Sequence, residues 1–209
     1  MKQHITIFGF YCALVAFVAI VAYGAVQILQ VLGVLHYPLD DRLIYGCSLA
    51  IAPAFLLAIL AFHELSPVER RFWPHAAVLF AVLYAGYVIL MYSVQLATVI
   101  PTSLVNRQET VLTVKPHSFF WTLDALGYIC MGISTFFAGL GMPRKGSRNL
   151  WLRRFLLANG FILPLICFAY FYPQFTTMTL LIGSPWLVTA SGSMLLLAVY
   201  FYKVRRLKS

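Results

Sequence analysis

Six long stretches of apolar residues constrain the fold of this chain more than any other feature of its sequence. A helix needs about 20 mostly apolar residues to cross a bilayer. The six stretches are residues 5–35, 43–62, 76–100, 118–142, 155–172 and 180–202. Each intervening segment contains a proline, which ends helices because it lacks a backbone N–H. The pattern predicts an all-α integral membrane protein: one domain, residues 1–209, forming a bundle of six transmembrane helices.

The charge content agrees with a chain that is solvated mainly by lipid. Only 10% of the 209 residues are charged, whereas a soluble domain has about 25%. The formal net charge is +9, but the basic residues lie between the apolar stretches and at the C-terminus rather than along one face of a soluble fold. We therefore predict no nucleic-acid partner.

The distribution of basic residues predicts the orientation of the bundle. Of the 15 Lys and Arg residues, only Arg42, Arg107 and Lys115 lie in the segments on the side opposite the termini. Because cytoplasmic loops carry the excess of Lys and Arg, both termini are expected in the cytoplasm. The basic fourth loop and C-terminal tail are expected to contact anionic lipids of the bilayer. The predicted location is a bacterial plasma (inner) membrane, with which the absence of an Asn-x-Ser/Thr sequon is consistent.

Polar residues within the predicted helices suggest a binding site. Asp124 is the only carboxylate well inside a predicted helix, roughly 10 Å from its outer end at 1.5 Å per residue. Gln27, Gln30 and Gln95 lie at a similar depth, about 8–12 Å from the outer ends of their helices. Polar groups in a bilayer are costly and face the bundle interior or a wet cavity. Together with tyrosines at helical spacing, the predicted ligand-binding residues are Asp124, Gln27, Gln30, Gln95, Tyr87 and Tyr128.

A purely structural interpretation of Asp124 stays open, because its carboxyl could bond a Tyr hydroxyl or a Gln amide and hold helices together. His63, Glu64 and His75 could bind a metal in principle, but no HExxH-type spacing is present, so we predict no metal. The loop from Pro101 to His117 is either a lid over the pocket or an ordinary connector.

No cofactor is expected. The predicted helices contain no Lys for a Schiff base and no mid-bilayer His for haem, and the sequence has neither a Walker loop nor GxSxG.

Three functions remain compatible with the sequence. The first is binding, and possibly translocation, of a small molecule or ion through the outer pocket. The second is a non-catalytic scaffold or partner subunit. The third is a membrane enzyme acting on a lipid or isoprenoid, with Asp124 as general acid or base and His117 as its helper. The balance favours a protein that is not an enzyme. The sequence does not specify catalytic residues, the ligand or the oligomeric state.

Overall fold

Six helical stretches are long and apolar enough to cross a membrane, as predicted. The computed structural model describes residues 2–106, 111–143 and 149–206, and this part of the chain contains no strand. The spans are Lys2–Val31, Leu39–Leu65, Phe72–Val105, Phe119–Gly141, Leu150–Phe171 and Thr177–Arg206.

These spans are built from nine α-helices within the described residues. In chain order they are α1 (Lys2–Val31), α2 (Leu39–Leu65), α3 (Phe72–Val94), α4 (Ile100–Asn106), α5 (Phe119–Gly141), α6 (Leu150–Phe161), α7 (Leu163–Phe171), α8 (Thr177–Gly183) and α9 (Pro185–Arg206). A 3₁₀ turn, Val68–Arg70, precedes α3, and a π-helical turn, Gln95–Val99, joins α3 to α4.

Two helix ends differ from the sequence prediction in a way that affects the site. The first helix ends at Val31, four residues early, and Gly33 follows in the left-handed region at φ 69°, which glycine adopts without steric cost. The second helix begins at Leu39, four residues early, with Asp40 and Asp41 in its first turn. Carboxylates are favoured there because the helix dipole is positive at its N-terminus.

The third, fifth and sixth spans are interrupted. The third span contains the π-helical turn. The fifth span breaks at Ile162, with Pro164 at the start of α7, and the sixth breaks at Ser184, with Pro185 opening α9. Because proline cannot donate a backbone hydrogen bond to the preceding turn, an apolar stretch containing it need not form one continuous helix.

The spans pack as a closed ring in chain order. The first packs against the second and sixth, the third against the second and fourth, and the fifth against the fourth and sixth. In the fifth and sixth spans, the short helix α7 packs against α5 and α8. Since neighbouring spans are antiparallel, the first residues of α1 and the last residues of α9 lie at the same end of the bundle.

Candidate functional site

A cavity of about 260 Å³ lies at the end of the bundle opposite the termini, and all six spans contribute to its wall. Most of the wall is apolar or aromatic, which is typical of small-molecule sites. The aromatic side chains in the wall include Tyr23, Tyr45, Tyr92, Tyr128, Tyr170 and Trp186. We refer to this space as the end cavity.

Asp124 is the most deeply placed carboxylate in the wall of the end cavity. The residue is 8% exposed and lies near the start of α5. Its Oδ1 accepts a hydrogen bond from the Tyr92 hydroxyl at 2.8 Å, and its Oδ2 accepts one from the Tyr170 hydroxyl at 2.6 Å. The carboxyl thus links α3, α5 and α7. Both partners are neutral phenols, so neither compensates a negative charge on Asp124.

Two further carboxylates approach the end cavity from the first turn of α2. Asp41 lines the wall, and the Gln30 Nε2 donates to Asp40 Oδ2 at 2.8 Å. Asp40 is only 6% exposed. Both residues lie in a predicted loop, outside the predicted set of ligand-binding residues. The signal that could have identified them is the acidic pair directly before an apolar stretch, which is typical of a first helical turn.

Four of the predicted ligand-binding residues, Asp124, Gln27, Gln30 and Tyr128, line the end cavity together. Tyr128 donates its hydroxyl hydrogen to the Tyr23 oxygen at 3.0 Å, and Gln27 Nε2 lies 3.4 Å from the same oxygen. These contacts join α1 to α5 inside the wall. Whether the residues bind a ligand remains a prediction.

The other two predicted residues, Gln95 and Tyr87, are not part of the wall. Gln95 is 1% exposed; its Nε2 donates to the Leu112 carbonyl at 2.7 Å and its Oε1 accepts from the Val114 N–H at 3.3 Å. It therefore anchors the third loop instead of facing the cavity. Tyr87 lies one helical turn deeper than Met91, which does line the wall, and is half-buried. Helical spacing alone does not show that Met91 lies in the wall while Tyr87 and Gln95, one turn to either side, do not.

The third loop reaches the end cavity through Val114, which forms part of the wall. The segment 111–114, held by Gln95, has no regular secondary structure. Residues 107–110 of this loop lie outside the described residues.

The helices α7 and α8 form a hairpin, residues 163–183, that closes one side of the end cavity. Besides the Tyr170–Asp124 bond, the Trp121 Nε1 donates to the Tyr170 carbonyl at 3.0 Å, and His117 Nε2 lies 3.0 Å from the Pro173 carbonyl. The Trp121 ring is 4.7 Å from the rings of both Tyr170 and Phe175. All of these contacts attach the hairpin to the start of α5.

The position of His117 bears on the enzyme hypothesis. Its ring contacts the hairpin carbonyl and does not line the end cavity. Among the described residues, two phenols, those of Tyr92 and Tyr170, donate hydrogen bonds to the Asp124 carboxyl. His117 is therefore not placed as a helper to Asp124.

Trp186 supplies a buried polar group in the wall. The residue is 6% exposed, and its indole N–H has no hydrogen-bond acceptor within the described part of the chain. Its ring packs edge-on against Tyr128 at 4.7 Å and Tyr23 at 5.9 Å. A buried donor without an acceptor is costly, so a ligand or water that accepts from it would be stabilising.

The opposite end of the bundle contains the histidine and glutamate residues considered for a metal. Glu64 lies 3.2 Å from His63 Nδ1 and 3.5 Å from Arg71 Nη2, and the His63 and His75 rings are 5.4 Å apart. Within residues 2–106, 111–143 and 149–206, no group of three or more His, Cys, Asp or Glu could hold a metal ion. The loop residues Arg144, Lys145 and Arg148, which are expected to contact anionic lipids, lie outside the described residues.

The fold and site together define a multi-pass α-helical membrane protein with an acidic, aromatic cavity at one end of the bundle. No protein-family model matches the sequence, and comparisons with curated proteins and with solved structures found no match.

Proposed function

We propose that this protein binds a small molecule or ion in the end cavity and moves it across the membrane. The observation that carries the proposal is Asp124, a buried carboxylate in the wall of a cavity to which all six spans contribute. Charged side chains at membrane depth are costly, and they commonly mark substrate or ion pathways. Such a carboxylate requires a proton or another cation beside it.

The interruptions of the third, fifth and sixth spans support translocation. The breaks at Ile162 and Ser184 bound the α7–α8 hairpin, and both the hairpin and Ser184 contribute to the wall. Helices broken beside a binding site are typical of secondary transporters, in which one part of the bundle moves against the rest. In this proposal the hairpin opens and closes the end cavity.

The proposed orientation places both termini in the cytoplasm and the end cavity toward the outer face of a bacterial plasma membrane. The support is the excess of Lys and Arg at the end of the bundle that holds the termini. This orientation is compatible with uptake of a ligand and with its expulsion.

Cysteine labelling in cells tests the orientation. In a variant without the four natural cysteines, Gln174→Cys is expected to react with a membrane-impermeant maleimide in intact cells. Glu69→Cys should react only after the cells are permeabilised. Both positions are exposed and lie at opposite ends of the bundle, so solvent access of the side chain does not distinguish them. The reverse labelling pattern would contradict the orientation.

Native mass spectrometry of the detergent-purified protein tests ligand binding. We expect a co-purified small molecule on the wild type, and loss of most of it from Asp124→Asn, which removes the charge but preserves the shape of the side chain. Glu69→Gln is the matched control, because it neutralises an exposed carboxylate at the other end of the bundle. Identical spectra for all three proteins would count against the proposal.

A scaffold or partner subunit is the second candidate function. It is favoured by the same carboxyl, because hydrogen bonds from Tyr92 and Tyr170 to Asp124 connect three helices, as polar residues do when they hold membrane helices together. On this alternative, Asp124→Asn lowers the stability of the bundle and leaves its bound molecules unchanged.

A further inference from the structure

We infer that the ligand of the end cavity is a small organic monocation, a substituted ammonium with an apolar or aromatic body, whose charged centre lies beside Asp124. The inference rests on the proposed function and names its substrate class. The cavity volume of about 260 Å³ is just below the common range for ligand pockets, which begins at about 300 Å³. This limits the ligand to a compact molecule.

The charged side chains in the described wall of the end cavity are of one sign. Asp124 and Asp41 line the wall, and Asp40 lies behind it, bonded to Gln30. Among the described wall residues there is no Lys, Arg or His. The ion pairs within the described residues involve Glu64 at the other end of the bundle, not these aspartates. A cationic ligand would therefore supply the charge that the protein itself does not.

The aromatic rings of the wall suit an organic cation better than a metal ion. The Tyr45 and Tyr92 rings lie 5.1 Å apart, and the Tyr128 ring lies 5.9 Å from Tyr170 and 4.7 Å from Trp186. Ring faces attract a cation that has little hydration to lose. Hard inorganic cations instead need six or more oxygen ligands, whereas most of the surface that this wall presents is apolar or aromatic.

The hydrogen bonds already present leave room for this ligand. Each Asp124 oxygen accepts one phenol hydrogen, whereas a carboxylate has about four lone-pair sites. An ammonium can therefore approach without breaking the bonds from Tyr92 and Tyr170. The buried Trp186 N–H, which lacks an acceptor among the described residues, is an additional point of attachment for a ligand that carries an oxygen.

A pair of isosteric probes tests the charge requirement. Phenyltrimethylammonium and tert-butylbenzene have the same shape and differ only in having nitrogen or carbon at the branch point. Trp121 and Trp186 line the end cavity, so their fluorescence reports whether a probe is bound. The protein is held in lipid nanodiscs, and dialysis gives the free concentration of each probe. We expect the cation to bind the wild type at least tenfold more tightly than its neutral isostere.

Two neutralising variants locate the charge. Asp124→Asn is expected to weaken binding of phenyltrimethylammonium by roughly thirtyfold or more, as for loss of one partner of a buried charge pair. Asp41→Asn should have a smaller effect because that carboxyl is half-buried, and Glu69→Gln should have none. Binding of tert-butylbenzene should not depend on either aspartate.

The outcomes separate this inference from the proposed function. Equal affinity for both probes in the wild type would overturn the cation class and leave a cavity that binds neutral molecules; this comparison needs no variant to fold. No binding of phenyltrimethylammonium, with a neutral or anionic molecule retained in native mass spectrometry, would overturn the cation class alone. No probe binding and no retained molecule would overturn both.

Discussion

Tyr170→Phe is expected to increase the access of reagents to the end cavity by roughly three- to twentyfold. The change deletes only the hydroxyl that donates to Asp124 at 2.6 Å, and this hydrogen bond attaches the α7–α8 hairpin to α5. Hydrogen bonds between membrane helices contribute on average about 0.6 and at most about 1.7 kcal/mol, which correspond to that range of open populations. The reporter is Ala169→Cys in a background without natural cysteines, because Ala169 lies in the wall and is 6% exposed.

The labelling rate of this reporter with a water-soluble thiosulfonate measures the opening of the hairpin. Tyr172→Phe is the matched control, since it deletes a phenol hydroxyl from the exposed residue that follows α7. We expect the control to label at the wild-type rate. If Tyr170→Phe also labelled at that rate, the bond to Asp124 would not hold the hairpin closed, and the gating part of the proposed mechanism would fail.

Gly160→Val is expected to destabilise the bundle by about 1–3 kcal/mol. A Cβ at position 160 would lie 2.6 Å from the Phe136 Cβ. The clash involves an atom next to the backbone of α5, so rotation of the Phe136 side chain does not relieve it. The helices α5 and α6 would have to separate, with loss of close packing between them. Equilibrium unfolding of the purified protein in mixed micelles, with increasing dodecyl sulfate, measures the change in free energy of unfolding.

Gly86→Val serves as the control for this substitution. It introduces the same side chain into a transmembrane helix at a position where nothing lies within 4 Å of the added Cβ. Its free energy of unfolding should stay close to that of the wild type. Equal destabilisation by the two substitutions would mean that the valine itself, rather than the contact with Phe136, disturbs the helix.

The stability and access measurements address different parts of the molecule. Gly160 and Phe136 pack α5 against α6, whereas Tyr170 lies in the α7–α8 hairpin. A protein that loses stability on Gly160→Val but retains normal labelling at position 169 would have a hairpin that moves separately from the packed helices α5 and α6. Movement of one part of the bundle against a fixed part is what alternating access to the end cavity requires.

The number of spans and their approximate positions follow from the sequence alone. An apolar stretch of about 20 residues can satisfy its backbone hydrogen bonds in lipid only as a helix or within a closed barrel. The shared depth of Gln27, Gln30 and Asp124 was also predictable, because depth follows from position along a helix. These three side chains do line one cavity.

The partners of Asp124 were decided by tertiary structure. Tyr92 and Tyr170 are 32 and 46 residues away along the chain, and three other tyrosines, Tyr23, Tyr45 and Tyr128, also lie in the wall. Which one faces the carboxyl depends on the rotation of each helix about its axis, and packing against neighbouring helices sets that rotation.

Packing between helices also explains the remaining differences between the sequence-based prediction and the structure. Gln95 was predicted in the site but bonds the third loop, and Asp41 enters the wall because α2 begins four residues earlier than its apolar stretch. Hydropathy reports how far each helix extends through lipid, one segment at a time. Contacts between segments set the direction in which each side chain points, the exact helix ends and the breaks at Ile162 and Ser184. Only the assembled bundle therefore decides these features.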